Sequence, residues 1–171
     1  MEDALYTRVL QYLNIRPRSE KEIRDYIARQ LAKPKVVKYI QDDFGVLTDR
    51  LVSRLKSQKF LNDLEFALWF IRSRTTFKPK GKRLISLELQ QKGISKELIE
   101  QAFIAYDAEQ IEHQEEERDE VALARQLLEK KRKKYEGMDR QERFHKAGSM
   151  LARRGFDLET IKQAIDAVWG K

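Results

Sequence analysis

A chain of 171 residues that is 41% hydrophobic is apolar enough to fold, but its 37% of charged residues is far above the roughly 25% usual in globular domains, a surplus that suits an extended shape with much surface per residue. Seven glycines and three prolines are too few for a turn-rich sheet protein, and the lack of cysteine excludes disulfides, thiolate ligands and a thiol nucleophile. No apolar run approaches the roughly 18 residues of a membrane span and no leader pattern opens the chain, so the expectation is a cytoplasmic, all-α protein whose net charge of +7 favours a polyanionic partner, or an assembly containing one.

Leu5, Val9, Leu10 and Leu13 recur at helical spacing. Pro17 stops that helix, because proline lacks an N–H and restrains the residue before it. Ser19-Glu20-Lys21-Glu22 is a capping box for a second helix through about Gln30. Lys33 to Gly45 breaks the pattern and reads as a loop with a helical turn around Val36 to Gln41. Thr48 is then the expected cap of a third helix, with Leu51, Val52 and Leu55 inward.

Asn62-Asp63-Leu64-Glu65 caps the next helix, which carries Phe66, Trp69, Phe70 and Ile71 to about Arg74. Their helical spacing marks these aromatics as core rather than as a platform for stacking bases. The stretch Thr75 to Gly81 should be an exposed, mobile loop, with Pro79 and Gly81 limiting helix. From Asp107 to Glu120 there are eight acids and one base, which reads as a linker or, preferably, as the exposed start of a long helix carrying Val121, Ala124, Leu127 and Leu128 to about Tyr135. Asp139-Arg140-Gln141-Glu142 has the spacing of another cap.

Residues 93–103, Gly93-Ile94-Ser95 through Phe103, are echoed sixty-two residues later by Gly155-Phe156-Asp157 through Ile165. Each copy holds a glycine able to end a helix in the left-handed conformation, an apolar residue to fold back on it, and Ser95 or Asp157 to cap the next helix. The following stripes are Leu98, Ile99, Ala102 and Phe103, and Leu158, Ile161, Ile165 and Val168. The organisation is three units of three helices, at 3–61, 62–107 and 116–170, with 108–115 an acidic linker or helix start.

No catalytic constellation emerges. Lys80-Gly81-Lys82-Arg83 lacks the spaced glycine and the Ser or Thr of a phosphate-binding loop. With His113 and His145 as the only histidines, a zinc site would draw mostly on carboxylates, and Glu112, Glu115 and Glu116 beside His113 read as a solvated face. Gly148-Ser149 lies in a helical pattern, where small residues permit close packing. The chain is read as a binding protein, not an enzyme, with no metal and no cofactor.

Cations cluster twice. Arg72, Arg74, Lys78, Lys80, Lys82 and Arg83 crowd a helix end and the loop after it, with Lys92 following. Lys130 to Lys134, including Lys131 and Arg132, sits at an expected helix C-terminus, where the helix dipole favours cations anyway.

Three segments carry a family resemblance. Leu13-Asn14-Ile15-Arg16-Pro17-Arg18-Ser19-Glu20-Lys21-Glu22-Ile23-Arg24 resembles the opening of RecX proteins. Phe60 to Ala67 with Ile71-Arg72-Ser73-Arg74, and Gly81 to Ser95, resemble two further RecX motifs in the same order. The first unit departs from the pattern, lacking the Lys-Gly turn and carrying the Lys33–Gly45 segment instead, and the acidic stretch is unusually dense. The resemblance implies tandem three-helix repeats forming an elongated, curved array, acting as a regulator of the RecA recombinase. Such a protein binds along the RecA–single-stranded-DNA filament and opposes its ATPase, extension and strand exchange, without catalytic residues of its own. It implies a monomer with RecA and single-stranded DNA as partners and no membrane. The candidate contacts are then Arg16 and Arg18 of the Arg-Pro-Arg segment with Arg72, Arg74, Lys78, Lys80, Lys82, Arg83 and Lys92, and Lys131 with Arg132. The rival reading is a DNA-binding helix-turn-helix protein. Against it, the helices after the two glycine turns begin with Glu97 and Glu100, or Asp157 and Glu159, where base reading wants donors.

Overall fold

The computed structural model describes residues 2–34, 43–76, 79–112 and 119–170. The described residues form helices and no strand: α1 (Glu2–Ile15), α2 (Glu20–Leu31), α3 (Phe44–Ser57), α4 (Asp63–Thr76), α5 (Lys82–Gln91), α6 (Lys96–Glu112), α7 (Glu120–Glu129), α8 (Arg132–Tyr135), α9 (Arg140–Ala152) and α10 (Leu158–Trp169). They enclose three separate cores. Val9, Ile23, Ile27, Leu51 and Leu55 centre the first, Phe66, Phe70, Ile71, Ile85 and Leu89 the second, and Leu128, Ala147, Leu151, Phe156 and Ala164 the third. An accessible surface of 11137 Å² exceeds the roughly 8,800 Å² expected of a compact monomer of 20.3 kDa, the signature of units strung in a row.

The local chemistry of the repeat is visible in atoms. Gly93 (φ 85°) and Gly155 (φ 89°) take the left-handed conformation. After each, the apolar residue's N–H returns to the helix just ended, Ile94 to Leu89 O at 3.1 Å and Phe156 to Leu151 O at 3.3 Å, completing a Schellman cap. Ser95 and Asp157 accept from Leu98 N and Thr160 N. At α2 the reciprocal box between Ser19 and Glu22 is formed. Gly148 is buried where α9 meets α10, with Ile161 beside it.

Several elements differ from the sequence reading. Asp43, not Thr48, caps α3, accepting from Gly45 N, while Thr48 lies a turn inside and donates to Phe44 O. The expected loop therefore ends at Asp43, and its turn at Val36 to Gln41 lies outside the described residues. The acidic stretch splits: Asp107 to Glu112 continues α6, whereas Asp119 caps α7. The expected long helix to Tyr135 stops at Glu129 and resumes after Lys131 as the short α8, which holds Arg132, Lys133 and Lys134. Leu158, expected inward, is 60% exposed at the start of α10.

The units join by one device used twice. At the first joint Ser19 Oγ donates to Lys92 O (2.7 Å) and Glu20 N to Asp63 Oδ1 (2.8 Å). At the second, Gly81 N donates to Arg154 O (2.9 Å) and Lys82 N to Glu120 Oε1 (2.5 Å). Ser19 and Gly81, Glu20 and Lys82, and Lys92 and Arg154 are each sixty-two residues apart, so the start of one unit's second helix always meets the glycine turn and first helix of the next. This explains why Pro79 and Gly81, expected in an exposed loop, are buried: they meet the third unit, where Arg154 reaches Pro79 O, while Thr75, expected in the same loop, ends α4 buried against Tyr106 OH of its own unit. Burial pushes the carboxyls of Asp63 and Glu120 above their ordinary range, against the lowering effect of the backbone N–H each accepts.

Candidate functional site

The eleven cations singled out by sequence fall into three structural groups. Arg16, Arg18 and Lys92 converge on Glu22 at the first joint. Arg16 Nη2 lies 2.7 Å from its Oε1, Lys92 Nζ 2.9 Å and Arg18 Nη1 4.0 Å. Arg18 is nearly buried and stacks 3.9 Å from the Tyr12 ring centre, with Nε left without an acceptor among the described residues. Burial opposes ionisation of Glu22, but hydrogen bonds and charge from Arg16 and Lys92 outweigh it and hold the carboxyl at about 2. Of the three pairs only that of Lys92 crosses from unit two to unit one, and Arg16 also reaches across, 5.8 Å from the Trp69 ring centre.

Those of the middle unit are likewise engaged. Arg72 grips Glu109 with both edges of its guanidinium, Nε to Oε2 at 3.2 Å and Nη2 to Oε1 at 2.6 Å. Arg74 (2.9 Å) and Lys80 share Glu88, whose carboxyl their hydrogen bonds lower despite its partial burial. Lys82 reaches Asp107 Oδ2 at 3.1 Å. Thus α6 and α5 supply the counter-ions for α4 and the turn after it. Arg83 is exposed and has no such partner among the described residues, and Lys78 lies outside them.

In the third unit the balance reverses. Arg132 pairs loosely with Glu129 at 3.7 Å, but Lys130, Lys131 and Lys133 are exposed with no carboxylate in reach among the described residues. Arg140, Arg153 and Lys162 are equally free. Sequence reasoning missed Arg140, Arg143 and Lys162, because they lie on two helices that only packing brings together. The one available signal was the separation of charge, +7 for the whole chain against an acidic Asp107–Glu120.

Among the described residues no cluster of three or more His, Asp or Glu could hold a metal, and no helix is long and apolar enough to cross a membrane. Of the His113 group considered in the sequence, Glu112 ends α6 and His113, Glu115 and Glu116 lie outside the described residues.

With this geometry in hand, comparison with known proteins is informative. The family model described as RecX, second three-helix domain, matches residues 62–102, and that of RecX, third three-helix domain, matches 118–165. "Regulatory protein RecX" of Prosthecochloris aestuarii (strain DSM 271 / SK 413) is 32% identical over 161 residues, covering 93% of this chain and 89% of that protein. "Regulatory protein RecX" of Bacillus subtilis (strain 168) is 28% identical over 163 residues, covering 95% of this chain; the chain spans about half (54%) of that longer relative. The crystal structure of RecX from Lactobacillus salivarius shares the fold, with a TM-score of 0.74 at 23% identity, covering 98% of this chain and 96% of that one. The tandem three-helix architecture expected from sequence holds, and its relatives carry the name of regulatory proteins rather than of enzymes. The chain belongs to the RecX family.

Proposed function

We propose that this chain regulates a RecA recombinase by lying along the RecA–single-stranded-DNA filament and opposing its ATPase, extension and strand exchange. The observation that carries the reading is the match to regulatory proteins named RecX over 93% of the chain and 89% of one relative. The row of three units supports it, because a repeated joint gives a reach along a filament that a compact domain lacks. Exposed, unpaired cations on the third unit supply charge for acidic protein surface or phosphate. The proposed setting is the cytoplasm, with the chain acting as a monomer.

The test is ATP turnover by RecA on single-stranded DNA. Near-stoichiometric or lower amounts of the protein should reduce it and slow strand exchange. Unchanged turnover and exchange would sink the proposal. Tight, sequence-specific duplex binding without RecA would replace it by the helix-turn-helix reading.

A further inference from the structure

The far end of the third unit holds a pocket of about 210 Å³ between the start of α9 and the end of α10. Arg140, Arg143, Phe144, Lys162, Asp166 and Trp169 form most of its wall. Arg143 is committed locally. It donates to Met138 O at 2.7 Å and Tyr135 O at 3.3 Å, and its guanidinium lies 5.3 Å from the Trp169 ring centre. Tyr135 meets Trp169 edge-on, with centroids 6.3 Å apart, and Lys134 lies 5.7 Å from the Tyr135 ring centre. Tyr135 is itself buried, so it packs the edge of Trp169 from inside the unit, behind the pocket wall.

Three properties of this place narrow its ligand. Arg140 and Lys162 are exposed and have no carboxylate partner among the described residues, and the wall as a whole has three cations to one carboxylate, Asp166. The indole N–H of Trp169, shielded from solvent, meets no acceptor among the described residues, so the wall holds an unused hydrogen-bond donor beside its cations. Phe144, 37% exposed, offers an unused aromatic surface beside them. A ligand uniting a planar π-system with repeated negative charge answers all three. An acidic peptide does so only where an aromatic residue happens to stand beside its carboxylates. A single nucleic-acid strand does so at every residue, with a base to stack and a phosphate to neutralise.

We infer that this pocket is a binding site for one nucleotide of a single-stranded nucleic acid, with Phe144 stacking on the base, Arg140 and Lys162 holding the flanking phosphates, and Arg143 positioning Trp169. The inference deepens the recombinase reading by naming where the strand would touch, and rests on that reading only for the strand's identity as DNA. Its test therefore omits RecA.

The chain has two tryptophans, so Trp69→Phe leaves Trp169 as the sole reporter. Titrating this variant with oligothymidylate of about eight nucleotides should quench its fluorescence, with log-log salt dependence of slope about −2, as for two or three phosphates. Phe144→Ala should weaken binding about tenfold or more, and Arg140→Ala with Lys162→Ala at least as much with a shallower salt slope, while the circular dichroism melt stays put because all three side chains are exposed. Absence of quenching, or binding untouched by these changes, would overturn the assignment. Tighter binding of an Asp/Glu peptide containing tyrosine would also overturn it and make the site a protein contact. Loss of RecA inhibition with oligonucleotide binding intact would refute the recombinase reading while leaving the pocket standing.

Discussion

The middle and last units share a fold and a surplus of cations, but among the described residues the middle unit pairs most of its cation cluster whereas the last leaves most of its own free. In the middle unit Arg72, Arg74, Lys80 and Lys82 are answered by Glu109, Glu88 and Asp107, two of them on a helix that ends beyond the core. In the last unit Lys131, Arg140 and Lys162 face solvent without such partners among the described residues. A count of basic residues along a sequence measures neither arrangement. What a polyanion feels is the charge left after folding has paired what it can, and here folding moves the electropositive end toward the C-terminus.

The contrast extends to the glycine turns, where the largest effect is expected. A Cβ on Gly155 would stand 2.4 Å from Leu84 Cβ and 2.6 Å from Leu84 N, against a packed helix backbone. On Gly93 it would meet Lys21 Cβ at 2.8 Å and the flexible remainder of that side chain. Both positions also carry positive φ. Gly155→Ala should cost about 3 kcal/mol and Gly93→Ala about 1–2 kcal/mol in denaturant unfolding. Equal costs would show that the two joints tolerate crowding alike.

Acid should separate the joints next. Glu22 has a folded pKa of about 2 against an ordinary 4.5, so its contribution is complete above the ordinary value and is lost as pH falls from about 4.5 toward 2. Discounted for solvent screening, that contribution is about 1–2 kcal/mol. Asp63 and Glu120 act in the opposite sense: their raised pKa values mean that protonation favours the folded form as pH falls through them. Glu22→Gln should flatten the acid limb of a pH-stability profile, and an unchanged limb would remove the Glu22 cluster from the account of the first joint.

Freeing a middle-unit cation pair tests the electrostatic contrast itself. Glu88→Gln leaves Arg74 and Lys80 without their shared carboxylate, at a stability cost of about 1 kcal/mol or less. In a chain already carrying Arg140→Ala and Lys162→Ala, it should recover a few-fold of oligonucleotide affinity. No recovery would mean that pairing is not what silences the middle unit.

The smallest effect lies at the end of the first unit. Lys59 has φ 59° in a cap built like those of Gly93 and Gly155, with Phe60 N returning to Leu55 O at 2.9 Å. Lys59→Gly should raise stability by about 0.5–1 kcal/mol, as a modest upward shift of the melting midpoint.

These residues also show what was legible in advance. The glycine turns, the Ser19 box and the Asp139 and Asp157 caps were readable because each is decided within six residues. The α3 start was misread because Phe44 and Val46, though apolar, are exposed, so the inward stripe begins later than the helix does. The roles of Arg16, Arg18 and Lys92 were hidden because one partner, Glu22, collects cations from both sides of a joint spanning seventy residues. The α9–α10 pocket left no local trace, since Phe144 and Trp169 are twenty-five residues apart and meet only through antiparallel packing.

The joint made at Ser19 and made again at Gly81 has a geometric consequence. Both joints are made at equivalent positions, so how each unit is set on the last is decided in the turns, not in the helices. Such a molecule is a gauge. A few degrees altered at the second joint would swing the third unit through an arc set by its own length, and with it the register of its free cations against any periodic partner.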